Sequence, residues 1–275
     1  MEELKVLGTG NATAVKSYNT CFAIQDGEEI FLTDTGGGNG LLSRLDEMGI
    51  ELEKVHHVFI SHCHMDHCLG VLWMIRVLSV KMEKGNYTGK LHIYGPEEVL
   101  DMLDLFCKKM LREKFYRMIG KYIFFKPVTP GEKKMIYGWE IEFFDIGSKK
   151  TLQYGYKLHL KNGKLLVFTG DEPLNQGMMK VGTGTDWLLR EVLCCYADEE
   201  KFHAYEKKHA TVKEACEEAV EMNVKNVVLW HLEDKTDRTL RKEKYLAESR
   251  KWLENCEESD RPMIFVPDDS DRILL

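Results

Sequence analysis

Several things are scarce in this sequence, and each absence excludes a class of protein. No apolar run approaches the roughly 20 residues that a membrane-spanning helix needs, so no anchor is expected. The N-terminal MEELKVLG lacks the order of a secretory signal and leads directly into what reads as a strand. Prolines number only six, and no stretch is rich in Pro, Gly or Ser, so nothing reads as a linker. No internal repeat is visible either, which leaves residues 1–275 as one expected domain. The eight cysteines, the adjacent Cys194 and Cys195 included, fall inside periodic segments without framework spacing. Reduced thiols in a cytoplasmic protein are therefore the expectation. Positive charge is in the minority, 38 Lys and Arg against 45 Asp and Glu. The resulting net charge of −7 offers no general attraction to nucleic acid or to an anionic membrane.

What is present is enough apolar material, 44% of residues, to bury a sizeable core. LKVLGTG, CFAIQ and EEIFLTD read as short strands bounded by Gly, Asn or Asp. Leu41, Leu42, Leu45 and Met48 recur at helical spacing, and Gly49 can end that helix. HHVFISH then reads as a buried strand. Pro96 suits the first turn of a helix whose apolar stripe is Val99, Leu103, Phe106, Cys107, Met110 and Leu111. WEIEFFDI, YGYKLHL and KLLVFTGD are strand-like, with Asn162-Gly163 as a hairpin turn between the last two. TVKEACEEAVEM carries a capping box, Thr211 with Glu214, and is followed by the strand NVVLWHL. Two β-rich blocks, each followed by helices, predict a layered α/β fold.

One stretch concentrates the chemistry. FISHCHMDHCLG packs three histidines and an aspartate into six residues after an apolar strand. His62 and His64 are two apart, so an extended strand end projects both to one side. Asp66 and His67 are adjacent and can diverge from a loop or a first helical turn. Such a cluster suits two neighbouring cations better than one, and imidazole with carboxylate is a good zinc donor set. Strand alternation turns Cys63 away from its neighbours, so it reads as packing. Two further strand ends offer donors: Asp171 in LLVFTGDEP and His231 in NVVLWHLED.

In order along the chain, Asp34 in LTDTGGG, SHCHMDHCLG, Asp171 in FTGDEP and His231 in LWHLED resemble the motifs of the metallo-β-lactamase fold superfamily. The resemblance spans nearly the whole chain and implies a four-layer αββα sandwich. VLGTGNATA at the start, DWLLREVLCC, and the run from KKHATVKEAC to LWHLED resemble its ribonuclease Z-like branch, which includes phosphodiesterases. That match implies metal ligands His62, His64, Asp66, His67, Asp171 and His231. It also implies a catalytic His209 oriented by Glu191, with Asp66 and Asp171 positioning the attacking water. Asp34 is expected behind the ligands, accepting the outer N–H of a ligand histidine. The cofactor implied is one or two Zn2+ ions, with Mn2+ or iron accepted by similar groups.

The chain departs from that branch in three places. No histidine stands before Gly155-Tyr156, where one more ligand is expected. Ser148 or Lys149 falls there instead, leaving water or Asp145 to fill in. One hairpin joins Tyr156 to Gly170, so no transfer-RNA-binding arm fits. Arg190 occupies the position of a histidine that the branch places before Glu191. The function these residues imply is hydrolysis by a metal-activated water, acting on a small-molecule or short phosphodiester rather than on transfer RNA. A hydrolase of thioesters, lactones or lactams and a non-catalytic metal-binding protein are the alternatives. MLREKFYRMIGKYIFFK and EPLNQGMMKVGTGTDW occupy the positions of substrate-facing insertions. The aromatics Phe115, Tyr116, Tyr122, Phe124 and Phe125 would line an apolar wall or, equally, a homodimer surface. DRTLRKEKYLAESRKW mixes charges at helical spacing and reads as a solvated helix rather than a nucleic-acid contact.

Overall fold

The structure, a computed structural model, describes residues 1–275. Its strands are β1 (Glu3–Gly8), β2 (Cys21–Asp26), β3 (Glu29–Thr33), β4 (His57–Phe59), β5 (Leu91–Gly95), β6 (Ile123–Pro127) and β7 (Lys133–Ile136). They continue as β8 (Trp139–Asp145), β9 (Tyr154–His159), β10 (Leu165–Phe168), β11 (Trp187–Glu191), β12 (Asn226–Trp230), β13 (Met263–Phe265) and β14 (Arg272–Leu274). The helices are α1 (Gly40–Glu47), α2 (Met65–Cys68), α3 (Gly70–Glu83), α4 (Glu97–Met110), α5 (Glu113–Tyr116), α6 (Gln176–Gly182), α7 (Glu199–Phe202), α8 (Val212–Glu221) and α9 (Arg238–Leu253).

The strands form two seven-stranded sheets, ordered β14-β1-β2-β3-β4-β5-β6 and β13-β12-β11-β10-β9-β8-β7. Each is antiparallel on one side and parallel on the other, and the change falls at β3 in the first and at β10 in the second. β3 leads directly into Asp34, and β10 leads through Thr169 and Gly170 into Asp171. In α/β sheets the crevice beyond the carboxyl ends of strands at such a switch is where ligands bind. The two sheets face each other across an aromatic-rich core that includes Phe22, Phe31, Phe59, Trp139, Phe143 and Phe168. Truncating a side chain such as Phe143 to alanine should cost about 3–5 kcal/mol. Helices α1, α3 and α4 cover the outside of the first sheet, and α8 and α9 cover the second. The architecture is the expected four-layer αββα sandwich.

Three local readings change. In α4, Val99, Leu103 and Cys107 are buried and Leu100 joins them, but Met110 is 71% exposed because the helix end passes the sheet edge. The segment read as a substrate-facing insertion at 110–126 supplies the edge strand β6. Phe115 is buried, and Tyr116, Tyr122 and Phe125 pack against the first sheet's core, so these aromatics complete the sheet rather than form an open wall. The C-terminal RIL, which carries no strand signal of note, pairs antiparallel with β1 and closes that edge. The capping box on α8 forms as expected, with Thr211 and Glu214 exchanging bonds. No helix is long and apolar enough to cross a membrane.

Candidate metal centre

The FISHCHMDHCLG motif leaves β4 at its carboxyl end, runs extended through His64, and winds into α2. Its closing glycine is a packing requirement. A Cβ on Gly70 would lie 1.9 Å from the Thr35 carbonyl oxygen, so only glycine lets α3 start against the loop after β3. Thr35 in turn ties its N–H and hydroxyl to the His67 carbonyl, at 2.8 and 3.0 Å. The loop carrying Asp34 and the motif are thereby clamped together.

Asp34, fully buried, organises the histidines from behind. It accepts from the Ser61 N–H and the Ser61 hydroxyl, both at 2.8 Å, and its Oδ2 lies 2.8 Å from His67 Nδ1. With the proton on Nδ1, the His67 Nε2 is left with a free lone pair. Ser61 has given its hydrogen to Asp34 and so can accept from His62 Nδ1 at 2.9 Å. Gln153 lies 2.9 Å from the same nitrogen. One carboxylate therefore sets the tautomer of His67 directly and reaches His62 through Ser61, where the Gln153 amide nitrogen meets the same Nδ1.

On the inner side, donor atoms converge. His62 Nε2 and His64 Nδ1 are 2.9 Å apart, and His62 Nε2 is 3.9 Å from Asp171 Oδ2. His67 Nε2 lies 3.4 Å from Asp66 Oδ2 and 3.6 Å from Asp171 Oδ2. His231 is wedged between the two carboxylates, with Nε2 3.4 Å from Asp66 and Nδ1 3.0 Å from Asp171. The donors form three overlapping sets, His62, His64 and Asp171 beside Asp66, His67 and His231, and a third of Asp171, Glu191, His209 and His231, with Asp171 common to the first and last.

These groups fit a divalent cation. Asp66 Oδ2, His67 Nε2, Asp171 Oδ1 and both ring nitrogens of His231 are buried without any hydrogen-bond partner. Each such orphan costs about 1–3 kcal/mol, and a cation would satisfy the carboxylate oxygens, His67 Nε2 and one nitrogen of His231. Burial alone would push the Asp66 and Asp171 carboxyls up, but His67 and His231 outweigh it and hold both well below the usual carboxylate range. Burial likewise works against a charged His67, yet Asp66 and Asp34 raise it well above its ordinary value. His62 goes the other way, pushed well down by burial and by the charge of His67, and burial also lowers His64. The ionised carboxylates and the neutral His62 and His64 are in the forms that ligate, whereas a cation at His67 would have to displace the proton that Asp66 and Asp34 favour there.

His209 belongs to the third set. Its Nδ1 is 2.9 Å from Glu191 Oε1 and 3.9 Å from Asp171 Oδ1. Glu191 is fully buried at the end of β11 and accepts from the Ala210 N–H at 3.1 Å. Burial opposes a charge on His209, but the Glu191 carboxylate wins and its pKa is raised.

Strand alternation points Arg190 to the other face of β11, away from His209. There its Nε donates to Glu218 on α8 at 2.9 Å, and Nη1 donates to the Glu191 carbonyl at 2.9 Å. Arg190 is thus a brace between sheet and helix. Asp145, expected as a stand-in for the absent ligand, accepts from Gly147 N–H in an exposed turn and belongs to none of the donor sets. The segment before Gly155-Tyr156 instead brings Gln153 to His62. Neither Gln153 nor Ser61 is evident from residue types alone, although Ser61 does stand directly before the first ligand. Also illegible beforehand is the backbone: Asp34, Lys208 and His231 adopt left-handed φ values of 55°, 59° and 61°. Non-glycine residues rarely hold that conformation, and such strain concentrates at functional sites.

The chain is 27% identical to a ribonuclease Z of Methanothermobacter thermautotrophicus over 87% of its own length and 89% of the relative. Among solved structures it resembles the metallo-β-lactamase fold protein YhfI from Bacillus subtilis, with a TM-score of 0.79, 16% identity and coverage of 99% and 98% of the two chains. A diphosphatase of the PhnP family gives a TM-score of 0.73 at 16% identity, covering 100% of this chain and 98% of the other. Zn2+-bound PqqB from Methylobacterium extorquens gives 0.72 at 12% identity, covering 99% and 100%. The sequence model of the Anti-Pycsar protein Apyc1 family matches residues 2–250. Fold, gathered His and Asp donors and family together support a metal-dependent hydrolase, and the chain belongs to the Apyc1 family of metallo-β-lactamase fold proteins.

Proposed function

We propose that this protein hydrolyses a phosphodiester at a centre of one or two Zn2+ ions. His62, His64 and Asp171 would hold one ion, and Asp66, His67, His231 and the shared Asp171 the other. The observation that carries the reading is His209, a largely buried imidazole that joins the donors only through the cluster it makes with Glu191, Asp171 and His231, with Nδ1 2.9 Å from the buried Glu191. A lactam, lactone or thioester hydrolase needs the ions but no such separate proton donor. Relatives and structural neighbours include a ribonuclease and a diphosphatase, enzymes that break P–O bonds. A Zn2+-bound neighbour supports the choice of ion.

A divalent ion bound here polarises phosphoryl oxygens and lowers the pKa of an attacking water toward neutrality. Asp66 and Asp171 orient that water through their carboxylates. The Glu191 carboxylate, 2.9 Å from His209 Nδ1, favours the charged ring as an ion pair, and Nε2 would hand a proton to the leaving oxygen as its bond to phosphorus breaks. Asp34 keeps His67 in the ligating tautomer and reaches His62 through Ser61. The substrate we infer is short, because β9 and β10 are joined by a tight hairpin, with Gly163 N–H on the Leu160 carbonyl, and no arm extends from it.

The test measures zinc content and hydrolysis of bis-p-nitrophenyl phosphate by the wild type, Asp171→Ala and His209→Ala. Loss of bound zinc and of turnover is expected for Asp171→Ala. For His209→Ala the expectation is full zinc with turnover reduced about a hundredfold or more. An unimpaired Asp171→Ala would sink the shared-ligand role, and an unimpaired His209→Ala would remove the proton donor.

A further inference from the structure

In the turn between β8 and β9, three side chains that the reading above does not use each reach a neighbour of a site residue. Ser148 donates to Glu172, which follows Asp171, at 2.6 Å. The Thr151 hydroxyl lies 3.1 Å from the sulfur of Cys63, which sits between His62 and His64. The Lys150 ammonium lies 3.5 Å from the carbonyl oxygen of Lys208, which precedes His209. These three contacts draw the turn across the mouth of the site from three sides. They leave Lys150 spanning the gap between the His64 side and the His209 side.

Lys150 itself is solvent-exposed. The site interior is rich in carboxylates: Asp34, Asp66, Asp171 and Glu191 are all buried within it. Even with Asp66 and Asp171 neutralised by cations, an anionic substrate gains from a positive group at the entrance, and a neutral ester does not. A carbonyl at 3.5 Å is a weak partner for an ammonium with three donors, so Lys150 remains available to a stronger acceptor.

We propose that Lys150 binds a non-bridging phosphoryl oxygen of the substrate, in the space between His64 and His209, and so selects phosphoryl over neutral esters. The inference rests on the phosphodiesterase reading, because a phosphoryl group attacked from the donor sets and protonated by His209 must lie between them. An ammonium-to-phosphoryl hydrogen bond is charge-assisted at both ends, which makes it one of the stronger kinds.

The experiment compares wild type, Lys150→Met and Lys150→Arg, each loaded with zinc. It reads bis-p-nitrophenyl phosphate kinetics, competitive inhibition by inorganic phosphate, zinc content and thermal unfolding. For Lys150→Met we expect KM and the phosphate inhibition constant to rise together, by about tenfold, with zinc content and melting temperature unchanged. Lys150→Arg should recover most of both. Unchanged KM and inhibition in Lys150→Met overturn the assignment while leaving the phosphodiesterase reading intact. Equal loss of zinc or of stability in both variants makes Lys150 a strut for the turn, and that also overturns it. A zinc-loaded wild type that turns over no phosphodiester overturns the phosphodiesterase reading, and this inference falls with it.

Discussion

Strand β4 has a histidine group at each end, and the two could hardly differ more. At its start, His57 stacks on His92 at 5.3 Å and meets Tyr137 edge-on at 4.8 Å, and His92 stacks on Phe124. The polar partners there are tyrosine hydroxyls, Tyr94 for His57 and Tyr87 for His56. Burial lowers all three imidazoles, His57 to about 4, so they serve as neutral aromatic rings. At the far end, His62, His64 and His67 meet Asp34, Asp66 and Asp171, and buried nitrogens and oxygens are left without partners. Histidine density is therefore no guide to a metal site. What distinguishes the second group is carboxylates among the rings, a protonation pattern set from behind by Asp34, and donor atoms with nothing else to bind.

The most forceful way to break this contrast is to remove a carboxylate from the second group. Asp171→Ala should lower kcat/KM on bis-p-nitrophenyl phosphate by about a thousandfold or more, equivalent to about 4 kcal/mol, and zinc analysis should show reduced content. His209→Gln should reduce turnover by about a hundredfold with zinc retained; loss of zinc in this variant would make His209 a ligand. Asp34→Asn sharpens the comparison, since it keeps shape but removes the charge that holds His67 and, through Ser61, His62. Zinc affinity, measured by competition with a chromophoric chelator, should weaken by about tenfold to a hundredfold, with activity restored at high zinc.

The smallest effect belongs to the other group. His57→Phe should leave zinc content and turnover unchanged. It should instead alter how stability depends on pH. His57 has a folded pKa depressed to about 4 against an unfolded value of 6.5, so the unfolded chain takes up the proton first. Its contribution is fully present above 6.5 and is lost as pH falls toward 4. Because the ring is partly solvent-exposed, that loss should be on the order of 1–2 kcal/mol. Denaturant melts at pH 7 and pH 4.5 should show a smaller drop for His57→Phe than for the wild type.

Much of the site was legible because it is local. The two-residue spacing of His62 and His64 at a strand end, and the strand-terminal placement of Asp171 and His231, follow from the periodicity of extended chain. Family resemblance added His209 with Glu191, and the structure places them 2.9 Å apart. Elsewhere local signals misled. The aromatics of 115–125 looked like a surface because edge strand β6 is short and its segment carries many charges. Asp145 looked like a substitute ligand by position alone, but its turn directs it to its own backbone.

By itself the sequence determined the layered α/β class and singled out the His and Asp side chains that the structure gathers, because strand and helix periodicities and motif spacing are properties of short segments. Only the tertiary structure decided how those donors group. It set Asp34 behind His67 and Ser61, placed Asp171 in two of the sets and turned Arg190 toward α8 instead of His209. It also brought Gln153 to His62 and the Lys150 ammonium to the carbonyl of Lys208, the residue before His209. Each of these depends on the register of strands far apart in the chain and on two sheets packing face to face. No short segment carries that information.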